Sequence, residues 1–292
     1  MFVRAIELVS GFTRPVFSIS RYYGQDSVLP GAATIFFVNE DGWAVTSKQT
    51  AKMIVSAGGI DRKYAEFREE KQKITSEEEL HLLEERYQYK SGVLCQRKVS
   101  FVDSVDRMER IECRMHPHYN LALLHFCGYH ERVYTGHATF AASSDTVKPG
   151  RSLCRLGYPF PEFRNFSYDR ERDDIVWTKG KTTSPCFPAD GMVTRLLASE
   201  KREIVGIELS TPGLAGIAGG PLFDPRGIVY GMQSTISSMN FGHCIHMDVI
   251  KSFLFQEGVL YYEDQLGAQL RQSDQSLLRQ GIIPEGGHGK MS

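Results

Sequence analysis

Histidine is the residue type in this sequence best suited to bind a metal ion, and four histidines occur as close pairs. His116 and His118 are two residues apart, so they would share one face of a strand, and His243 and His246 are three apart. Imidazole nitrogen is a common zinc ligand, but a structural zinc site needs four ligands. Neither pair has a carboxylate or cysteine beside it at a convincing ligand spacing. We therefore predict no metal site and no cofactor.

Hydroxyl and thiol side chains are the other candidates for nucleophilic chemistry. A hydroxyl needs a neighbouring base to take its proton, and no such base is evident near Ser210, Thr211, Ser234 or Ser237. The six cysteines lack the CxxC spacing of zinc ribbons and redox motifs. We interpret them as reduced thiols that lie in the core or are half-buried.

The composition is that of an ordinary globular protein. The chain has 292 residues, of which 41% are hydrophobic, and its formal net charge is −1 at pH 7. A nucleic-acid binder needs a basic surface or a concentrated basic patch; neither is evident, so nucleic acid is not an expected partner. The sequence also lacks an uncharged apolar run of about 18 residues and a typical secretory leader. We predict no membrane span and a cytoplasmic location.

Short strands separated by turn residues make up most of the sequence. The stretch AATIFFVNEDGWAVTS contains two apolar runs joined through Asn39-Glu40-Asp41-Gly42, and Asp-Gly is a strong hairpin signal. Further strand-like runs follow along the chain, among them LALLHF, SLCRLGY, EIVGIELS and GIVYGMQST. Many short strands with this punctuation indicate an all-β barrel or sandwich. The expected fold class is therefore mostly β.

Two segments depart from the strand pattern. Residues 61–90 are rich in charged residues and contain neither glycine nor proline. Ser76 followed by Glu79 forms a capping box within them, and the apolar residues after it recur at helical spacing. We predict a helical insertion over residues 61–90. The stretch MDVIKSFLFQEG predicts a second helix, which would pack on the barrel.

Three stretches resemble the motifs of a single enzyme family. GAATIFFVNEDGWAVTSKQT resembles the hairpin that carries a general-base histidine, HPHYNLALLHF resembles the segment that carries an aspartate, and GIAGGPL resembles the loop that carries a nucleophilic serine. The family is that of the trypsin-like, chymotrypsin-fold serine peptidases, especially their HtrA-type branch. The resemblance covers roughly residues 27–258. It implies a double six-stranded β-barrel with a helical insertion and a closing C-terminal helix.

The resemblance also sets the expected domain limits. Residues 1–258 would form one domain of two β-barrel halves, with the division between the halves near residues 135–150. Residues 259–292 would form a partly disordered C-terminal tail, because they carry few apolar residues and end in PEGGHGKMS.

All three catalytic residues are replaced at the positions that the resemblance assigns to them. Gln49 stands at the histidine position, Asn120 at the aspartate position and Ala218 at the serine position. An amide has no usable basicity near pH 7, and alanine has no nucleophilic atom. Since loss of one triad member already removes most of the rate enhancement, the resemblance implies an inactive serine-peptidase homologue.

The same resemblance implies that the turn and the cleft of the fold are kept. Gly216, Ile217 and Ala218 would form the remnant of an oxyanion turn, although Ile217 replaces the polar residue usual before the serine. Peptidases hold an extended peptide by adding it as a strand to a sheet edge. The residues that would line such a cleft by position are Leu214, Ala215, Met232, Gln233, Ser234, Thr235 and Ile236.

Three functions stay open from the sequence. The first is a non-catalytic module that binds a protein or peptide partner in the cleft. The second is a scaffolding subunit whose contacts are made by residues 61–90 or by the tail. The third is a hydrolase that uses unorthodox residues. The sequence does not fix the partner or the oligomeric state.

Overall fold

The computed structural model describes residues 1–236 and 241–264 of the chain. Its helices are α1 (Val3–Ser10), α2 (Lys48–Lys71), α3 (Glu77–Tyr87) and α4 (Met247–Gln256), with a 3₁₀ turn at Ser144–Thr146. Its strands are β1 (Thr13–Tyr22), β2 (Val28–Phe37), β3 (Trp43–Thr46), β4 (Leu94–Ser100), β5 (Val105–Asp106), β6 (Arg110–Met115), β7 (Ala122–Cys127), β8 (Glu131–Arg132), β9 (Thr139–Phe140), β10 (Ser152–Gly157), β11 (Phe166–Asp169), β12 (Asp174–Trp177), β13 (Phe187–Ala198), β14 (Ile204–Leu209), β15 (Pro221–Phe223), β16 (Val229–Ile236), β17 (Gly242–His246) and β18 (Tyr262–Glu263).

The strands form two main sheets that follow one another along the chain. The first has six strands in the order β4-β1-β2-β3-β7-β6. The second has eight strands in the order β15-β10-β13-β14-β17-β16-β9-β18, and a further pairing of β15 with β16 closes six of them into a barrel. The change of sheet falls between Cys127 and Thr139, at the start of the predicted window 135–150. The mostly β, double-barrel fold class is confirmed.

The hairpin of β2 and β3 forms as its turn residues predict. Gly42 has φ +82°, a left-handed conformation that glycine adopts at no steric cost. The side-chain oxygen of Asn39 accepts hydrogen bonds from the N–H groups of Asp41 and Trp43. These contacts fix the register, in which Phe36 lies opposite Val45 and both side chains are buried in the core.

The helical region begins at Lys48 rather than at residue 61, so the predicted start is wrong. Ser47 caps α2, because its hydroxyl accepts a hydrogen bond from the N–H of Thr50. Two adjacent glycines, Gly58 and Gly59, would be expected to interrupt a helix. Both lie inside α2, and a Cβ atom added at either position would have no neighbour within 4 Å. A helix interior tolerates glycine at about 1 kcal/mol each. The Ser76 cap of α3 forms as expected.

An aromatic cluster holds α2 and α3 against the edge of the first sheet. Tyr64 and Phe67 of α2 are buried beside Tyr89, which follows α3, and Tyr23, which follows β1. Their rings meet in edge-on and stacked pairs with centroids 4.9–6.5 Å apart. Such pairs each add about 0.5–1.5 kcal/mol beyond area burial. The helices are therefore packed parts of the domain and not a loose arm.

The C-terminal segment 259–264 is packed in the fold, unlike the predicted tail that starts at residue 259. β18 pairs in parallel with β9, and the side chains of Val259 and Tyr261 are buried. The carbonyl oxygen of Leu260 accepts a hydrogen bond from Asn39 in the first-sheet hairpin, at 2.9 Å. We call residues 259–264 the C-terminal strap. Residues 265–292 of the predicted tail lie outside the described residues.

The helices of the described part include none that combines the length and the apolar character of a membrane span.

Candidate functional site

The loop that resembles a serine-bearing turn lies against the middle of β16, at Gln233. The N–H of Gly219 donates to the carbonyl oxygen of Gln233 at 2.8 Å, and the N–H of Gln233 donates to the carbonyl oxygen of Gly220 at 2.9 Å. Gly219 has φ +93°, and a Cβ atom there would collide with the carbonyl oxygen of Thr34 and lie 2.6 Å from Thr46 Oγ1. Conformation and space both require glycine at this position.

Thr34 of β2 ties this loop to both sheets. Its hydroxyl donates to the carbonyl oxygen of Gly216 at 2.6 Å and accepts from the N–H of Tyr158 at 3.0 Å. Gly157, at the end of β10, lets the loop approach, because a Cβ atom there would lie 2.9 Å from the Cα of Ile217. The loop therefore lies at the junction of the two sheets.

Two of the three triad positions meet directly, through the N-terminus of α2. Gln49 is an exposed residue in the first turn of α2, and its backbone N–H donates to Asn120 Oδ1 at 3.3 Å. Asn120 Nδ2 donates in turn to the hydroxyl of Ser234 at 3.2 Å. Ala218 is half-buried in the adjoining loop. A Cβ atom added to its neighbour Gly219 would lie 3.1 Å from the backbone nitrogen of Ser47, the residue that caps α2. The sequence-predicted positions thus converge.

These groups form a neutral network. An amide side chain uses its oxygen as acceptor and its NH₂ as donor, and Asn120 does both here. None of the side chains of Gln49, Asn120 and Ala218 can take a proton from a hydroxyl near neutral pH. The arrangement can hold the loop and helix in place, but it cannot activate Ser234 as a nucleophile.

The predicted remnant of an oxyanion turn keeps two unused donors. Within the described residues, the N–H groups of Gly216 and Ala218 have no hydrogen-bond acceptor. Ile217 has no such freedom, because its N–H donates to the carbonyl oxygen of Leu214 and its side chain is buried. Gly216 has φ +87°. Two half-buried N–H groups could bind an oxygen of a ligand, but the loop has no nucleophile to attack one.

Two of the predicted cleft residues point away from any cleft. Met232 is fully buried in the hydrophobic core. Gln233 is also buried, its side chain accepts from Arg155 and donates to the carbonyl oxygen of His243, and its backbone is paired with the loop. The alternating directions of strand side chains explain the error for Met232, which faces the interior of the barrel. Both residues are structural.

The remaining predicted positions form the rim beside the loop. Leu214 is half-buried, Ala215 is exposed, and Ser234 is held by Asn120. β16 pairs with β17 as far as Ile236, whereas its pairing with β15 ends at Met232. Ser234 falls at a β-bulge, and in the described residues the backbone of Thr235 and Ile236 is paired with β17 alone. The side chains of Thr235 and Ile236 lie outside the described residues.

Arg155 is the main residue at this site that the sequence analysis missed. It lies on β10 with only 1% of its surface exposed. Its guanidinium donates to Gln233 Oε1 at 2.8 Å and to Thr211 Oγ1 at 2.6 Å, and it approaches the carbonyl oxygen of Ala189. Burial lowers the pKa of its guanidinium. A charged residue in the apolar alternation of SLCRLGY was the available signal.

The histidine pairs serve structural roles. His116 Nδ1 accepts from the N–H groups of His118 and Tyr119, so the ring closes its own turn. His243 Nε2 lies 3.2 Å from buried Glu208, whereas His246 caps α4 by accepting from the N–H of Asp248. His243 and His246 are therefore committed to separate partners. Ser237 lies outside the described residues.

The cysteines near the cleft are not activated for nucleophilic attack. Burial raises the pKa of Cys154 to about 12 and that of Cys186 to about 11. Cys244 lies on β17 opposite Gln233 of β16, and burial raises its pKa to about 12 as well. The thiolate is the reactive form, so these thiols are inert near neutral pH.

Comparisons with known proteins agree with the fold. No protein-family model matches the chain, and no curated protein sequence matches it. Among solved structures, a serine-to-alanine variant of the HtrA-type protease AlgW with a decapeptide is 12% identical, with a TM-score of 0.51 over 88% of this chain and 68% of that chain. The same type of variant with a tripeptide is 14% identical, with a TM-score of 0.50 over 89% of this chain.

This chain covers only 65% of the second of these structures. At such low identity, the likeness shows the fold alone. The chain has the fold of the HtrA-type, trypsin-like serine proteases.

Proposed function

We propose that this chain is a catalytically inactive member of the trypsin-like fold that binds an extended polypeptide segment at the cleft beside its 216–220 loop. The observation that carries the proposal is the neutral network of Gln49, Asn120 and Ser234 next to Ala218. A peptidase needs a base and a nucleophile in these places. The network supplies neither, while the surrounding backbone keeps its shape.

The end of β16 supports peptide binding, because part of its backbone is open to an added strand. Within the described residues, Thr235 and Ile236 pair with β17 and with no other strand, and Ser234 stands at a β-bulge between the paired residues. A one-sided strand offers N–H and C=O groups to an added strand, and the free N–H groups of Gly216 and Ala218 lie in the adjoining loop. Two solved structures with the same fold, those of AlgW, carry a decapeptide and a tripeptide.

The binding test uses a displayed library of random peptides selected against the full chain, followed by fluorescence polarisation of the selected peptides. We expect extended sequences with micromolar affinity, about −8 kcal/mol. Ala218→Trp should weaken binding at least about tenfold, because the indole would occupy the half-buried floor of the cleft.

The matched control is Ala198→Trp, at an exposed position at the end of β13. It should bind like the unsubstituted chain. The proposal fails if selection yields no peptide, or if both tryptophan variants bind equally well.

Inactivity is tested separately, with labelled casein and a fluorophosphonate probe. We expect neither turnover nor labelling in the unsubstituted chain. The triple variant Gln49→His, Asn120→Asp and Ala218→Ser should be labelled, whereas each single variant should not, because triad residues act as a unit. Turnover that follows the unsubstituted chain through purification would instead favour an enzyme with unorthodox residues.

A scaffolding function is the second candidate, and exposed apolar residues on the helices favour it. Leu82 of α3 is 64% exposed and Val55 of α2 is 59% exposed. Either residue could contact a protein partner. The variant Leu82→Glu should leave peptide binding unchanged. If it abolishes capture of a protein partner that Ala218→Trp still captures, the helices rather than the cleft make the contact.

A further inference from the structure

Three side chains with different ligand atoms meet on the outer face of the first sheet. Glu112 of β6 lies directly opposite His125 of β7, and Cys127 follows two residues later on the same face. The sulfur of Cys127 lies 3.3 Å from His125 Nδ1, and a carboxylate oxygen of Glu112 lies 3.9 Å from the same nitrogen. All three ligand atoms lie within 4.8 Å of one another.

The ring of His125 is held in the orientation that a metal ligand needs. Its Nε2 lies 3.2 Å from the carbonyl oxygen of Asp41, which can only accept, so Nε2 carries the proton. The ring also stacks on Trp43, with 4.2 Å between centroids and 5° between planes. Nδ1 therefore directs its lone pair toward Cys127 and Glu112. Metal-binding histidines usually donate their second N–H to a carbonyl or carboxylate in this way.

We propose that Glu112, His125 and Cys127 bind a divalent transition-metal ion, with zinc as the best fit. Thiolate, imidazole and carboxylate are the ligands that zinc accepts, and tetrahedral bonds of their usual lengths place the ligand atoms about 3.3–3.6 Å apart. The observed separations need only a small side-chain rotation to reach this geometry. A water molecule would complete the four-coordinate site.

This site departs from the prediction of no metal, which rested on spacing along the chain. The pairing of β6 with β7 brings Glu112 beside His125, and no short sequence motif predicts that pairing. Neither of the predicted histidine pairs takes part.

Metal binding at this site exchanges a proton for the ion. In the free protein, the sulfur of Cys127 contacts His125 Nδ1 at 3.3 Å, and a thiol is neutral near pH 7 at its ordinary pKa of about 8.5. Binding breaks the S–H bond, forms the metal–sulfur bond and releases one proton to the buffer.

Arg110 opposes binding by its charge. Its guanidinium donates to the Glu112 oxygen Oε1 at 2.9 Å and lies opposite Cys127 on β6. Glu112 Oε2 is the oxygen nearer His125. Removal of the positive charge should therefore tighten the site, because like charges at this range repel.

The test is a titration of the reduced full chain with Co²⁺, followed through thiolate-to-cobalt charge-transfer absorption and through proton release. We expect one equivalent of Co²⁺, one proton released, and loss of the absorption when Zn²⁺ is added. Cys127→Ser should abolish the charge-transfer band, and His125→Asn should weaken binding at least about tenfold. Arg110→Gln should tighten it at least about fivefold.

Cys113→Ser is the matched control, because Cys113 lies on β6 next to Glu112 but on the opposite face of the sheet. It should retain the full band. Each variant's thermal transition without metal shows whether it folds; if Cys127→Ser does not, His125→Asn and Arg110→Gln decide the matter. Binding that is absent in the unsubstituted chain, or unchanged in these variants, would overturn the proposal.

Discussion

Two regions differ in the interactions that hold them: the 216–220 loop with Gln49 and Asn120 beside it, which we call the cleft floor, and the outer face of β6 and β7. At the cleft floor, backbone hydrogen bonds and a left-handed glycine fix the 216–220 loop, but the side chains at the three triad positions carry no acid, base or nucleophile. On the outer face, Glu112, His125 and Cys127 bring three reactive atoms together on an ordinary pair of strands. Shape and chemical capability can therefore occur in different parts of one fold, and a preserved loop is weak evidence for a preserved reaction.

The largest expected effect is at the cleft floor. Gly219→Val should lower the free energy of unfolding by about 4 kcal/mol, because the residue has φ +93° and its Cβ would collide with Thr34. Urea unfolding measures the change. Gly58→Ala, in open space within α2, should instead stabilise the chain by up to about 1 kcal/mol. Equal tolerance of both substitutions would mean that the cleft floor is not the constrained region.

The next largest effect on stability is expected at Arg155, which is buried on β10. Arg155→Ala should lower the free energy of unfolding by about 3 kcal/mol, since it removes a buried side chain and leaves Gln233 Oε1 without its donor. Arg170→Ala is the control, because Arg170 pairs with Asp26 on the surface and should cost less than about 0.5 kcal/mol. Similar melting curves for the two variants would contradict the structural role given to Arg155.

A smaller effect is the pH dependence of stability that comes from His246, the N-cap residue of α4. Burial lowers the pKa of His246, so the folded chain binds this proton more weakly than the unfolded chain, whose histidine titrates near about 6.5. Stability should fall as the pH drops below that value and through the folded pKa, by at most about 1.4 kcal/mol per pH unit.

The variant His246→Asn, which keeps an N-cap acceptor, should flatten this dependence between pH 7 and about pH 5. Thermal melts across that range provide the measurement. An unchanged slope would assign the pH dependence elsewhere, for example to His116, whose pKa burial also lowers.

The smallest effect is expected on the outer face. Without metal, Cys127→Ser should change the free energy of unfolding by less than about 1 kcal/mol, because the hydroxyl can replace the thiol in its contact with His125. With excess Zn²⁺, the unsubstituted chain should gain stability and the variant should not. A loss comparable to that of Gly219→Val would remove the contrast between the two regions.

The sequence predicted the features that depend on local signals. The Asp41-Gly42 turn, the Ser76 cap and the convergence of Gln49 and Asn120 near the 216–220 loop all correspond to short motifs. The errors arose where distant residues decide. Met232 was placed at the cleft because the order of motifs does not show which face of a strand is buried. Arg155 was missed because its hydrogen-bond acceptors, Thr211 and Gln233, are remote from it in sequence.

The start of α2 shows the same limit at the level of helices. Gly58 and Gly59 weaken the local helical signal, but burial of Ala51 and Ala57 outweighs it. The strap at 259–264 was predicted as tail because its partners, β9 and Asn39, are remote in sequence.

The C-terminal strap has a consequence for how the chain folds during synthesis. The hydrogen bond from Asn39 to Leu260 joins residues 221 positions apart, and Tyr262 donates to Glu40 in the same hairpin. The hairpin of the first barrel therefore leaves the ribosome long before its last partners do, and contacts of such separation form slowly. A nascent chain stopped before residue 259 would hold both barrels nearly complete yet leave the β2–β3 turn uncovered.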